Sequence, residues 1–241
     1  MKKIVVLLIL TLTIKGHAQF ARSMFSKDPV INLENFQKQR VYFGFYLGFN
    51  SYDFKMDYKT VGEDILIKKS TGFNVGLVAD LKLQEYVSLR FEPGLYYTKR
   101  NLQYPLPILP LGNLREVNST NLHFPLLLKF LALRTGNIRP YIVGGVSATL
   151  NLSSNSKSDK DNSNGDKKFR VKAWTQNYEL GLGIDIFSEY FIFSPSIRGV
   201  FGLNDELIRD NVDSFDLDES PYTGRIKSMK TRAIFINFTF H

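Results

Sequence analysis

The sequence predicts an all-β fold: an eight-stranded antiparallel transmembrane β-barrel of the up-and-down, outer-membrane type. Three observations predict it: apolar side chains recur at every second position, the number of such segments is even, and their connections alternate between long and short. A period of two places apolar side chains on one face of an extended strand. Each segment has about ten residues, the length at which a tilted strand crosses a bilayer.

The clearest segment is the first, 41–50, with the sequence VYFGFYLGFN. Large apolar residues alternate there with Tyr, Gly and Asn, which are small or carry a polar tip. The same alternation predicts further strands over 73–82, 87–98, 121–130, 178–186, 191–198 and 234–240. It is weaker over 141–152, because Val143 and Val146 fall on opposite faces. Pro93, Pro125 and Pro195 lie inside predicted strands, where we expect bulges or strand ends.

The connections between these strands alternate in length. The long ones contain the charged segment 55–69, the Pro-rich segment 104–113, the run SSNSKSDKDNSNGDKK and the residues after Gly202. The short ones lie around 84–85, 134–137 and 188–189. Outer-membrane barrels have short periplasmic turns, long external loops and both chain ends on the periplasmic side. A soluble lipocalin-like barrel also has eight strands, but its apolar faces point inward.

Charged residues within the strands decide which way each face points. Six of them lie on the less apolar face: Arg90, Glu92, Lys129, Glu179, Asp185 and Arg198. Facing lipid, each Lys or Arg would cost about 2–4 kcal/mol, and three would rival the stability of a whole domain. We therefore expect these charges in a narrow lumen that side chains fill. There they would pair as an internal plug, for example Arg90 and Arg198 against Glu92, Glu179 and Asp185.

The first residues predict export. Lys2 and Lys3 precede the apolar run 4–14 and the small residues of Gly16-His17-Ala18, so we expect a signal peptide over 1–18, cleaved between Ala18 and Gln19. Residues 19–40 then form a periplasmic segment with a helical turn near 33–37, and 41–241 form the barrel. The chain has no cysteine, which excludes a lipoprotein, disulfides and a thiolate metal site. No other apolar stretch is long enough for a membrane-spanning helix.

The net charge is +8, and removing Lys2, Lys3 and Lys15 with the signal leaves 8 − 3 = +5. In an exported protein this excess fits loops that face anionic lipid head groups, so we expect no nucleic-acid partner. Residues 153–172 carry a net charge of +3, whereas 204–228 carry −4. These two loops either pair with each other or are solvated independently.

The chain offers little for chemistry, and we expect no cofactor. The glycine pairs open no amphipathic helix, so they are lumen-facing residues of tightly coiled strands and not phosphate loops. Only His123 and His241 remain after signal removal, which excludes a His-rich metal site, although His123 is a candidate base for a barrel hydrolase. Four acids cluster in one loop: Asp213, Asp216, Asp218 and Glu219. They lack the loop spacing and the glycine of an EF-hand, which argues against a calcium site there.

The sequence of the last strand predicts an interaction with the barrel-assembly machinery. Its outward residues Ile236, Phe238 and Phe240 resemble the C-terminal signal that the barrel-assembly machinery reads. Besides that machinery, the expected partners are outer-membrane lipid and lipopolysaccharide.

Four stretches resemble the PorT family of outer-membrane barrels from Bacteroidota. They are VYFGFYLGFNSYDF, RFEPGLYYTKRNLQY, NLHFPLLLKF with GNIRPYIVGG, and YELGLGIDIFSEYFIFSPSIRGVFGLND. The resemblance covers nearly all of the chain after about residue 32 and implies an eight-stranded barrel without catalytic residues. It also implies an accessory or assembly role in type IX secretion and, in gliding bacteria, motility.

Two other functions stay open. One is a free-standing small barrel of the OmpA/OmpX kind, which would serve envelope integrity or adhesion. The other is a lipid-modifying enzyme that uses His123.

Overall fold

The computed structural model describes residues 31–37, 39–59, 64–105, 113–156, 162, 168–210, 220 and 222–241. A short helix, α1 (Glu34–Gln37), lies where the helical turn was predicted and precedes ten strands. The strands are β1 (Val41–Tyr58), β2 (Leu66–Lys69), β3 (Thr71–Gln84), β4 (Val87–Phe91), β5 (Gly94–Gln103), β6 (Leu114–Leu131), β7 (Ile138–Asn151), β8 (Trp174–Phe187), β9 (Ile192–Gly202) and β10 (Ile226–Phe240). None of the helical residues described forms a helix long and apolar enough to cross a membrane.

The ten strands form a ring of eight. β1 pairs antiparallel with β10 on one side and with β3 on the other, which closes the sheet. β2 and β3 are two parts of one ring strand, separated at Ser70, and β4 and β5 are two parts of another, separated at Glu92 and Pro93. The predicted eight-stranded antiparallel barrel is therefore confirmed. Closure leaves the ring without a free edge where all eight strands pair.

Several strands are longer than predicted. β1 continues to Tyr58, β6 begins at Leu114, and β10 begins at Ile226 instead of at residue 234. The first long connection consequently shrinks to 59–65, which corrects the expected length.

The pattern of outward apolar residues did not predict the extra length, because the apolar residues change faces along the strand. Along β1 the outward side chains are apolar from Val41 to Phe49, and each is more than 40% exposed. Above Ser51 the outward positions hold charges such as Asp53 and Lys55, while the inward Tyr52 and Phe54 are buried. The apolar face therefore moves from the outside to the inside of the barrel. This switch marks the upper edge of the lipid-facing belt.

Charged pairs border the belt at this upper edge. Lys69 and Arg232 lie 3.0 and 3.1 Å from Asp53, and Lys99 lies 3.2 Å from Glu116. Below them, the belt in β1 covers 41–49, which at about 3.3 Å per residue and a tilt of about 40° spans a height near the 25 Å typical of outer-membrane barrels. The strand lengths and the charges thus agree on one slab of lipid.

The prolines are accommodated differently from the expectation. Pro93 lies at the break between β4 and β5, as a strand end should. For Pro125 and Pro195 the expectation of a bulge or strand end was wrong, because β6 and β9 continue through them without a bulge. Each lies where the ladder with one neighbouring strand is interrupted, so the missing N–H costs no bond, while pairing with the other neighbour continues.

A segment ahead of β1 crosses the end of the barrel that carries the short turns. The backbone N–H of Asn32 donates to Asn137 Oδ1 at 3.0 Å, its side-chain amide donates to the carbonyl of Phe187, and its carbonyl accepts from Arg134 at 2.7 Å. Asn137 directly precedes β7, the strand four places from β1 in either direction round the ring. Leu33 turns the chain there with a φ of 54°, a left-handed conformation rare for a large side chain.

The C-terminal strand presents Phe238 and Phe240 outward. Phe240 stacks on Phe45 with ring centroids 5.3 Å apart, and Phe193 stacks on Phe238 at 6.1 Å. Ile236 is 43% exposed on the same face. A role of these residues as an insertion signal stays a prediction.

We expect Leu126→Arg to block barrel assembly and Asn74→Ser to permit it. Leu126 is 48% exposed on the belt, where arginine costs about 2–4 kcal/mol at the midplane, whereas Asn74 is buried in the lumen. The folded fraction, measured by heat-dependent gel migration after folding into lipid vesicles, checks this. Equal effects of the two substitutions would mean that the faces are assigned the wrong way round.

Candidate functional site

The lumen at the level of the belt is filled by a network of buried charges. All six charged residues selected from the sequence are buried there: Arg90, Glu92, Lys129, Glu179, Asp185 and Arg198. They come from β4, the break after it, β6, β8 and β9, in each case from positions that alternate with lipid-facing residues. The alternation that places leucines in lipid therefore also aims these side chains at one another.

Arg90 forms one end of the network. Its Nε and Nη2 donate to the two carboxylate oxygens of Asp80 at 2.7 and 2.5 Å, and Nη1 donates to Glu92 Oε1 at 3.1 Å. Such bidentate, charge-assisted bonds are the strongest that side chains make. The ring of Tyr141 lies 5.6 Å from the guanidinium carbon.

Glu92 joins Arg90 to Arg198 across the lumen. Arg198 Nη1 donates to Glu92 Oε2 at 2.7 Å, and its Nε lies 3.2 Å from Glu179 Oε2 as an ion pair without hydrogen-bond alignment. Glu179 Oε1 is in turn 2.7 Å from His123 Nε2. An unbroken chain of alternating charge thus runs from one wall of the barrel to the other.

Asp185 anchors a second group. It accepts two bonds of 2.8 Å from Lys129 Nζ and one of 2.6 Å from Ser194, and Arg139 lies 3.3 Å away. The structure therefore places Asp185 with Lys129 and Arg139 and not directly with Arg90 or Arg198.

Some members of the network were not selected from the sequence. Asp80 lies on the polar face of a predicted strand, so the pattern could have found it. His241 follows the last strand and has no pattern, yet its Nε2 lies 3.4 Å from Arg90 and 3.7 Å from Asp80. The expected cleavage residues Ala18 and Gln19 lie outside the described residues.

Aromatic side chains fill the lumen around these charges, and glycines make room for them. Tyr46 is fully buried and donates to the Glu92 carbonyl at 3.3 Å. A Cβ on Gly94 would collide with the Tyr46 hydroxyl, and one on Gly183 would collide with the ring of Tyr141. Two clefts inside the barrel have volumes of about 20 Å³ each, room for about one water molecule.

An apolar cap closes the opposite, long-connection end of the barrel. The inward residues of the extended strands pack there against parts of two long connections, which a backbone bridge between Val171 and Leu207 joins. The buried cluster contains Phe54, Leu102, Tyr104, Val117, Phe169, Val171, Leu207, Tyr222, Ile226 and Met229. The cap is thus a small core of its own above the belt.

Polar side chains fasten the connections to this cap. Arg115 Nε donates to the carbonyl of Asn162 at 2.8 Å, and Asn162 Nδ2 donates to Asp210 at 2.8 Å. Ser220 donates to the other Asp210 oxygen at 2.7 Å. In the part described, the two oppositely charged loops therefore meet through the amide of Asn162 and the carboxylate of Asp210, which Ser220 holds from within its own loop. The four clustered acids that were weighed as a calcium site, Asp213, Asp216, Asp218 and Glu219, lie outside that part.

Glu206, near the cap, is buried, and no ion pair joins it to a cation among the described residues. Glu206 accepts from the backbone N–H and the hydroxyl of Thr231, both at 3.0 Å. Burial raises the pKa of its carboxyl above the usual range, although Arg100 opposes the shift.

His123 has the neighbours of a base but no room for a substrate. Its Nδ1 is 2.8 Å from the Thr149 hydroxyl and its Nε2 is 2.7 Å from Glu179. All three side chains are buried, and the adjoining cleft accommodates about one water molecule. The geometry of the described residues therefore supports a structural role for His123, because the cleft beside it is too small for a lipid.

Three solved outer-membrane barrels are similar in fold. The N-terminal β-barrel domain of OprF from Pseudomonas aeruginosa is 15% identical, the match covers 83% of this chain and 98% of that chain, and the TM-score is 0.39. OprG from the same organism is 14% identical, with 83% of this chain and 95% of that chain covered and a TM-score of 0.43. Ail, the attachment invasion locus protein of Yersinia pestis, is 7% identical, with 82% of this chain and 96% of that chain covered and a TM-score of 0.33. At these identities and scores the likenesses carry no argument about function. No curated protein matches the sequence.

A match to a protein family is more informative. Residues 18–207 match the family described as outer membrane protein beta-barrel domain, which is most of the chain. The closed ring, the outward apolar belt and the filled lumen agree with that match. The chain therefore belongs to the outer membrane protein β-barrel domain family, and its location is the outer membrane.

Proposed function

We propose that this protein is a closed, non-conducting barrel that acts through its surfaces and catalyses no reaction. The observation that carries the proposal is the double closure of the lumen. A chain of ion pairs fills it at the level of the belt, and an apolar core fills it above. A solute would have to break both, and a protein of this form is suited to holding partners at the membrane.

We further propose that the partners belong to a type IX secretion apparatus, in which the barrel is an accessory or assembly component. The support is the resemblance to PorT proteins in the four stretches given above. The alternative, a free-standing OmpA/OmpX-like barrel for envelope integrity or adhesion, agrees equally well with a closed lumen. The two functions differ in what the cell loses when the barrel is removed.

Deleting the gene separates these two functions. If the barrel serves type IX secretion, cargo proteins accumulate in the periplasm and disappear from the medium. Cell fractions probed for such cargo measure this, with a complemented strain as the control. Normal secretion with a more permeable envelope would instead support the free-standing barrel and overturn the secretion role.

The purified barrel should show no steady conductance in a planar lipid bilayer. The double variant Arg115→Ala, Asp210→Ala loosens the cap but leaves the ion pairs in the belt, so it should stay silent as well. Steady, ohmic current steps through the wild-type protein would contradict the closed lumen.

Glu92→Gln should destabilise the barrel strongly, because two buried arginines then share a neutral partner. Breaking a buried ion pair costs about 3–5 kcal/mol in the free energy of unfolding. The control is Glu116→Gln, which breaks the exposed pair with Lys99 and should cost about 1 kcal/mol or less. Urea unfolding in lipid vesicles measures both. Similar values for the two variants would show that the lumen charges contribute no more than surface pairs.

A further inference from the structure

The outer wall of the barrel carries a polar groove at the upper border of the lipid-facing belt. It consists of two adjoining depressions of about 300 and 210 Å³ over β3, β5, β6, the end of β7 and both described ends of the connection between β7 and β8. The two share Asn118 and Ser153, so they form one continuous surface.

A shift in strand pairing lies beside the depression. β2 pairs with β5 in a register that differs by one residue from the register of β3 with β5. Ser70 is the extra residue between them, and its N–H donates to the carbonyl of Lys99 at 3.2 Å. An extra residue in one strand bends that strand and increases its twist. Ser70 and Lys99 both line the larger depression, so the depression lies at this bulge.

The outward side chains form three successive rows across the groove. The lowest row is apolar, with Val75, Leu95, Leu122 and Leu150 paired side by side. The middle row is Phe73, Tyr97 and Thr120, and the upper row contains Lys99 and Asn118. Polarity thus rises over three rows, from aliphatic through aromatic and hydroxyl to amide and ammonium.

The groups of the upper two rows are those that recognise a phosphorylated sugar. Phe73 and Tyr97 stack at 4.7 Å, are 52% and 41% exposed, and offer an apolar surface to the C–H face of a sugar ring. Asn118, Thr120 and Ser153 supply amide and hydroxyl groups for sugar hydroxyls. The side chain of Lys99 is about half exposed, and its ammonium group pairs with Glu116 at 3.2 Å. Lys168 lines the same groove, so the groove offers a phosphate two cations against one carboxylate.

We propose that this groove binds the phosphorylated saccharide head of an outer-leaflet glycolipid, whose acyl chains then contact the row from Val75 to Leu150 and the apolar belt below it. The rows match such a molecule in order, since its chains are in the bilayer and its sugars and phosphates are above it. Glycolipid binding at this groove does not depend on whether the barrel serves secretion.

A second aromatic pair on the wall provides a matched control. Tyr178 and Phe201 stack at 5.0 Å, and Tyr178 is 41% exposed, the same fraction as Tyr97. The outward residues next above this pair are Gln176 and Leu203, which carry no charge. A general preference of interfacial aromatic residues for lipid would therefore affect both pairs equally.

The test is binding of fluorescent, bisphosphorylated lipid A to the full chain in phospholipid nanodiscs. Tyr97→Ala and Lys99→Gln should each weaken binding about tenfold, whereas Tyr178→Ala and Lys55→Gln should stay within about twofold of the wild type. Lipid A without phosphates should bind as weakly to the wild type as the phosphorylated form binds to Lys99→Gln. Phosphatidylglycerol should not compete.

Equal loss in all four variants, or equal competition by phosphatidylglycerol, would overturn the proposal. A second measurement captures the ligand covalently, with one residue of the groove wall replaced. A photo-crosslinking residue at Asn118 should capture glycolipid in cells, and one at Lys55 should not. Capture at both positions, or at neither, would show that the groove is ordinary barrel surface.

Discussion

The small circumference of an eight-stranded ring is the constraint on which the structure depends. Every second side chain must point into a lumen too narrow for a column of water, so inward charges can be solvated only by one another. Arg90, Arg198 and Lys129 meet this demand by sharing three carboxylates, Asp80, Glu92 and Asp185, with Glu179 as a further partner of Arg198. Ion pairs therefore take the place of water inside the barrel, and they close its lumen.

The same alternation serves two solvents along one strand. Within the bilayer the outside must be apolar, and above it the outside must be polar. β1 keeps its period of two through both regions, but near Ser51 the apolar residues change from the outward face to the inward face. The inward apolar residues that result have no lipid to contact, so they gather into the cap with segments of the long connections. The cap is thus a consequence of extending the strands beyond the membrane.

Sequence reasoning identified the features that local alternation determines. The eight strands, their faces and the six lumen charges can all be predicted from a period of two. The upper halves of β1, β6 and β10 were missed, since a search for outward apolar residues ends where the phase changes. The cap was missed because residues such as Phe169 and Tyr222 lie in connections with no period.

Partner choice in the lumen was also beyond local pattern. Which acid meets which base depends on the stagger between strands, and a sequence does not reveal that stagger. Asp185 on β8 therefore pairs with Lys129 on β6, two strands away, and His241 lies beside Arg90 although it follows the last strand. The prolines behaved similarly, because Pro125 is tolerated owing to a gap in a neighbouring ladder that only pairing reveals.

The segment ahead of β1 has a mechanical consequence. It begins its described path at Ile31, is fastened through Asn32 beside β7, and enters the ring at Val41 on the facing wall. A thin-walled cylinder deforms most easily by flattening, and a brace tied to two opposite walls resists that deformation. Any pull on the chain ahead of Ile31 is accordingly borne first by Asn137, Phe187 and Arg134, and reaches the seam between β1 and β10 only after that fastening has given way.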